Sequence, residues 1–259
     1  MDVTSSFLIS VALILIVSFA GAYAPMSIRT TDRQRHMMIA FSAGVFLGIL
    51  FLILLPEAVH ESEHSGFEMS DVMYCALAGF LTMFVIDFLF KHYKKPTCSC
   101  SECVDVHSHE VTSLSAFVGL SIHACFDGLA LGTAFVVGEE VGVMMLVAVC
   151  LHKAAEVFSL SSTFLLAGNK SSSKMLLGIF CLLSPVAALA SYFALGEVEL
   201  EIAGLAFAFS AGVFMFVTML HLIPEAFHRK DVDVKSLALL LAGLLLIALV
   251  LLLMGPHSH

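Results

Sequence analysis

The sequence predicts an all-α, polytopic membrane protein with eight transmembrane helices arranged as 3+2+3 around an inverted repeat. Three observations carry this: eight apolar segments long enough to cross a bilayer, basic residues confined to alternate connections, and a twenty-residue pattern that occurs twice. The 259 residues are 59% hydrophobic and 13% charged, against about 25% charged in a soluble domain. Mean hydropathy is +1.00, which excludes a soluble enzyme. The formal charge of -9 excludes nucleic acid as a partner, because neutralising a phosphate backbone needs clustered Lys and Arg. Of seven cysteines, Cys75, Cys125, Cys150 and Cys181 lie in apolar runs and read as small hydrophobes, so no disulfide framework is expected.

A span needs roughly 20 mostly apolar residues. Span one covers about 6–25; its Ala22-Tyr23-Ala24 resembles a signal cleavage site, but the leading segment has Asp2 and no basic residue, and Pro25 follows the would-be cut. Span two, 36–59, ends in Pro56-Glu57-Ala58 and enters an acidic connection with Glu61, Glu63, Glu68 and Asp71. Span three, 71–91, carries Asp87 and leads into the longest connection, 92–112. Spans four and five, 113–137 and 141–167, are separated by Glu139 and Glu140. Spans six, seven and eight cover 174–195, 202–227 and 235–254, with Glu197, Glu199 and Glu201 between the first two. Arg29, Arg33 and Arg35, then Lys91, Lys94 and Lys95, then Lys170 and Lys174, then Arg229, Lys230 and Lys235 all fall on one side. Cytoplasmic loops carry the positive excess, so both termini are expected to be extracytoplasmic. Lys153, inside span five, is the exception. The chain then forms one transmembrane domain, 1–259, embedded in the lipid bilayer, with 92–112 as a cytosolic loop.

The segment from Phe41 reads FSAGVFLGILFLILLPEAVH and that from Phe209 reads FSAGVFMFVTMLHLIPEAFH. They align without a gap, down to Pro56, Glu57 and His60 against Pro224, Glu225 and His228. Span two runs inside to outside and span seven outside to inside, so the repeat is inverted. Inverted repeats are the mark of secondary transporters, whose two halves exchange access around a midplane site. The repeat sets Glu57 and His60 at the outer mouth and Glu225 and His228 at the inner mouth.

Ionisable groups at mid-membrane depth cost at least ~2.5 kcal/mol each on insertion scales and are functional hypotheses by default. Spans four and five hold five: His123 and Asp127, then His152, Lys153 and Glu156. Both motifs read His-x-x-x-acid, and residues i and i+4 share a helix face. Two such faces make a pocket of two imidazoles and two carboxylates, a donor set suited to Zn²⁺; imidazole also suits iron, and Mn²⁺ prefers more oxygen. Gly128 and Gly132 would let a neighbouring helix approach closely. Lys153 points about 100° away from His152, either as a fixed charge where a second cation would sit or as a counter-ion for Asp87 or Glu156.

With these residues in place, the whole chain resembles the ZIP family of divalent metal transporters. The resemblance rests on eight spans, outside termini, an intracellular loop after span three, His123-Ala124 with Asp127-Gly128, and His152-Lys153 with Glu156. It implies that His123, Asp127, His152 and Glu156 bind the transported ion. It also implies that Ala124 and Lys153 abolish an adjoining second metal site present in some members; a His-Lys pair occurs in one eukaryotic branch. Asp87, Glu57, His60, His221 and Glu225 match polar positions common along that family's path. Movement of metal toward the cytosol by an elevator-like or rocking motion is a further implication.

In the loop after span three, Cys98, Cys100, Cys103, His107 and His109 read either as a weak metal-accepting patch or as a disordered connection with lipidatable cysteines. The expected activity is transport of a divalent transition metal, zinc first and Fe²⁺, Mn²⁺ or Cd²⁺ as further cargo, into the cytosol across the plasma membrane. No permanent cofactor is expected, and a homodimer is compatible with the sequence. An intramembrane zinc hydrolase or a metal-sensing receptor would explain the site but not the symmetry.

Overall fold

A computed structural model describes residues 2–27, 30–93, 101–168, 170–195, 203–227 and 234–254. Among these residues, eight helices are long and apolar enough to cross a membrane. Helices are the expected solution, since a chain in hydrocarbon must satisfy its backbone polar groups internally. The helices are α1 (Val3–Ser27), α2 (Asp32–Ile49, a π-helical stretch Leu50–Leu54, then Leu55–His64), α3 (Met69–Tyr93) and α4 (Ser101–Val137). They continue as α5 (Glu139–Leu166), α6 (Lys170–Ala190 with a π-helical end Ser191–Leu195), α7 (Ala203–Phe216, π-helical Val217–Leu222, then Ile223–Ala226) and α8 (Val234–Met254).

Local chemistry sets the boundaries. Thr31 caps α2 through a reciprocal pair: the Gln34 backbone N–H donates to Thr31 Oγ1, and the Thr31 N–H donates to Gln34 Oε1 at 2.8 Å. Gly66 and Gly168 take positive φ, +82° and +73°, in the turns that end α2 and α5. One expectation is corrected. The connection expected over 92–112 is helical from Ser101 onward, because no Gly or Pro interrupts the chain between Ser101 and Gly119 and polar residues outside the bilayer do not break a helix. Cys103 and His107 therefore lie on a helix; Cys98 and Cys100 lie outside the described residues, as does His228.

The inverted repeat is visible in the packing. A methyl group on Gly44 of α2 would overlap the Leu240 carbonyl of α8, and one on Gly243 of α8 would overlap the Phe41 carbonyl of α2. The same pair of crossings recurs in the other half: Gly212 of α7 meets the Ala76 carbonyl of α3, and Gly79 of α3 meets the Phe209 carbonyl of α7. The π-helical stretches of α2 and α7 also correspond, each just ahead of a proline, Pro56 or Pro224. Proline lacks the N–H that would close a normal turn, and a widened turn absorbs the misfit.

The helices pack as two groups. The first joins α1 to α5, α5 to α4, and α4 to α6; the second joins α2 to α8, α3 to α7, and the end of α2 to α7. The groups meet chiefly where α2 lies on α5 and α7 lies on α4. The main core fills this junction with Phe46, Leu120, Val157, Phe180 and Phe214. The outer faces of α3 and α8 expose Tyr74, Leu77, Phe84, Leu245, Leu249 and Leu252, as lipid-facing surfaces should.

Candidate metal centre

The centre forms where α4 and α5 run side by side. On α4, His123 and Asp127 stand one turn apart, with His123 Nε2 3.4 Å from Asp127 Oδ1. His152 reaches across from α5, its Nε2 3.1 Å from Asp127 Oδ2. One ligand atom from each of the three lies within 4.8 Å of the others, and all three residues are buried. Asp127 thus sits between two imidazoles.

Each ring is oriented by its remaining nitrogen. His152 Nδ1 donates to the Ala148 carbonyl at 2.9 Å, so a neutral ring turns the Nε2 lone pair toward Asp127. Two acceptors then face each other, an arrangement that a proton or a metal ion reconciles. His123 Nδ1 lies 2.8 Å from Ser210 Oγ on α7, leaving Nε2 buried without a hydrogen-bond partner among the described residues. The His123 ring also packs on Phe214, with centroids 4.6 Å apart. Behind the centre, Gly128 and Gly132 let the backbone of α6 come close at Ser184 and Ala188, as their small size suggested. Ser184 Oγ donates to the Ala124 carbonyl at 2.7 Å.

Glu156, expected with these three, faces a different partner. Its Oε2 accepts from Lys153 Nζ at 2.6 Å, while Oε1 is buried without a partner among the described residues. Lys153 Nζ lies 3.7 Å from Asp127 Oδ2 and 4.9 Å from the centroid of Phe180. The counter-ion reading of Lys153 therefore holds for Glu156 and fails for Asp87, which has partners of its own.

The sequence matches the family model described as ZIP Zinc transporter over residues 4–105 and 98–251. The chain belongs to the ZIP family. Zinc transporter ZIP9-A of Xenopus laevis is 26% identical over 276 residues, covering 89% of each chain. Zinc transporter ZIP9 of Micropogonias undulatus is 26% identical over 86% of each chain, and zinc transporter ZIP1 of Takifugu rubripes 23% identical over 91% of this chain and 92% of its own. As a ZIP protein this is a multi-pass integral membrane protein of a zinc transporter family and not an enzyme, and the hydrolase reading falls.

Two further clusters of this ZIP protein lie toward the start of α4. Asp87 of α3 accepts from Ser115 Oγ of α4 at 2.7 Å, pairs with His221 Nε2 of α7 at 3.0 Å, and bridges to Lys91 at 2.7 Å. Glu225 of α7 lies 2.7 Å from His109 Nδ1 and 4.0 Å from His36 Nδ1, and its backbone carbonyl accepts from His36 Nδ1 at 2.7 Å. His109, placed by sequence in a loop patch, is thus beside Glu225. At the opposite end, Glu57 and His60 are half-buried near the end of α2. Sequence reasoning missed Ser210, Ser115 and His36. Ser210 had a signal, as the serine of the repeated Phe-Ser-Ala-Gly motif; the other two had none.

Proposed function

We propose that this ZIP protein moves zinc toward the cytosol through a site built from His123, Asp127 and His152, with Glu156 joining as a fourth ligand. The observation that carries the reading is the buried trio: two imidazoles around one carboxylate, at the junction of the two helix groups. Imidazole nitrogen and carboxylate oxygen suit Zn²⁺; the same donors accept Fe²⁺ and Cd²⁺, and Mn²⁺ less well. Lys153 fills the position of a second cation, which supports a single-ion site.

Asp87 with His221, then Glu225 with His109 and His36, supply carboxylate and imidazole at two successive stations below the site, and they mark the exit. Glu57 and His60 mark the entrance. The basic connections support an exit on the cytosolic side with both termini outside, and the plasma membrane is the proposed location. The site's own helices, α4 and α5, belong with α1 and α6 in one packed group. Sliding of that group against α2, α3, α7 and α8 would carry the ion between mouths. The three ionisable stations along α4 favour this over a receptor that only holds metal.

Uptake of radioactive zinc into cells expressing the chain tests the reading. His123→Ala or His152→Ala is expected to abolish uptake at unchanged surface expression, with competition by excess iron, manganese and cadmium ordering the cargo. Normal uptake in both variants removes these residues from the path.

A further inference from the structure

We propose that Lys153 is a tethered counter-cation of the empty carrier: its ammonium holds Glu156 when no metal is bound and yields that carboxylate to the arriving ion. The inference rests on the reading of His123, Asp127 and His152 as the transport site. It differs from a merely filled second-cation position, because it makes the lysine a moving part of each cycle.

Lys153 and Glu156 are both wholly inaccessible, and their side chains meet at 2.6 Å one turn apart on α5. A buried charge is tolerated only when paired, so each fixes the other. The pairing is incomplete. Among the described residues Glu156 Oε1 has no partner, and Glu156 stands outside the trio whose ligand atoms lie together. Asp127 is the link, within 3.7 Å of the ammonium and 3.1 Å of His152 Nε2.

A divalent ion settling on the trio arrives beside the ammonium. Like charges repel strongly where water is excluded, while the ion attracts the unpartnered Oε1. Glu156 turns to the metal, and Lys153, a point charge on a flexible four-carbon stem, withdraws toward the ring of Phe180. When the ion leaves, the ammonium returns to Glu156. The two carboxylates are never left without a cation as the empty site crosses back. The lysine thereby weakens metal binding and speeds both release and return.

Lys153→Met keeps the stem and removes the charge. Zinc binding to the purified protein is expected to tighten about tenfold or more, with the zinc KM of uptake and the maximal rate falling together. Lys153→Arg keeps the charge and grips a carboxylate through two donors, so zinc binding is expected to weaken. Unchanged affinity in either variant, or a raised KM in Lys153→Met, overturns the proposal. Infrared difference spectra of the wild-type protein supply a readout that needs no lysine variant. Zinc is expected to shift a carboxylate band that Glu156→Gln removes, and a Glu156 band indifferent to zinc overturns the handover. His123→Ala separates the two readings: binding that survives His123→Ala in the Lys153→Met background sinks the site itself. Binding that is lost in His123→Ala but unaltered by Lys153→Met sinks the lysine alone.

Discussion

His123 and His152 look equivalent in sequence, yet the structure supports them in different ways. His152 is fixed from within its own helix by the Ala148 carbonyl, whereas His123 depends on Ser210, a residue of the opposing helix group. Partners behind a metal-binding imidazole set its tautomer and orientation, and their loss costs 10- to 100-fold in metal affinity. Ser210→Ala is therefore expected to raise the zinc KM about tenfold or more at unchanged surface expression. Ser42, its counterpart in the repeat, has a buried hydroxyl with no hydrogen-bond partner among the described residues, so Ser42→Ala should leave uptake within about twofold, removal of an unpaired polar group being nearly neutral. Equal effects in parallel zinc titrations of the two variants would show that the His123 contact does not matter. At this scale the sequence was half legible. The i,i+4 rule brought His123 to Asp127, but it also aligned Glu156 with His152, and the structure lets the i,i+3 neighbour Lys153 take that carboxylate. Spacing alone does not rank two partners on adjoining faces; charge does.

The helices read more clearly than the residues, because a run of apolar side chains leaves the backbone no alternative within a bilayer. What the runs did not disclose was which helices touch. The four glycine crossings decide that, since Gly44, Gly243, Gly212 and Gly79 each place backbone against backbone. Small residues at such crossings are what allow helices to associate in lipid, where no hydrophobic force draws them together. Gly212→Ala would push α7 off the Ala76 carbonyl, at a cost of about 1–3 kcal/mol for overpacking. Thermal unfolding of the detergent-solubilised protein should fall by several degrees. Gly178→Ala on α6 is the control, because nothing among the described residues lies within 4 Å of a methyl there, and alanine is the better helix former by about 1 kcal/mol. A melting point that falls no further for Gly212→Ala than for Gly178→Ala would dissociate these crossings from stability. The early start of α4 was missed for a related reason. Lack of hydropathy marks where a span ends and says little about where its helix ends.

The chain is ordered as two similar halves of three helices flanking a central pair, and in the packed molecule the two halves exchange partners. The first half contributes α1 to one packed group and α2 and α3 to the other, while the second half divides its α6 from α7 and α8 in the same way. On the proposed sliding mechanism, such an exchange would let one group move as a unit against another that is itself symmetric. It also predicts which covalent links should stop the carrier. Phe126 of α4 and Phe209 of α7 face each other across the two groups, with ring centroids 6.3 Å apart. Phe7 of α1 and Tyr192 of α6 stack at 4.1 Å within the first group, and Phe80 of α3 meets Phe216 of α7 at 5.4 Å within the second. Paired cysteines at Phe126 and Phe209, joined by a short reducible cross-linker, are expected to arrest zinc uptake and to regain it on reduction. Pairs at Phe7 and Tyr192, or at Phe80 and Phe216, should transport whether or not they are linked. Among the described residues the native cysteines at 75, 125, 150 and 181 are free thiols, and the sequence carries three more, Cys98, Cys100 and Cys103, so the background for these measurements replaces all seven with serine or alanine. Arrest by all three links would mean that the helices rearrange within each group. Continued uptake with Phe126 and Phe209 positions joined would mean that the groups do not slide past each other, and the ion would then have to pass through a fixed frame.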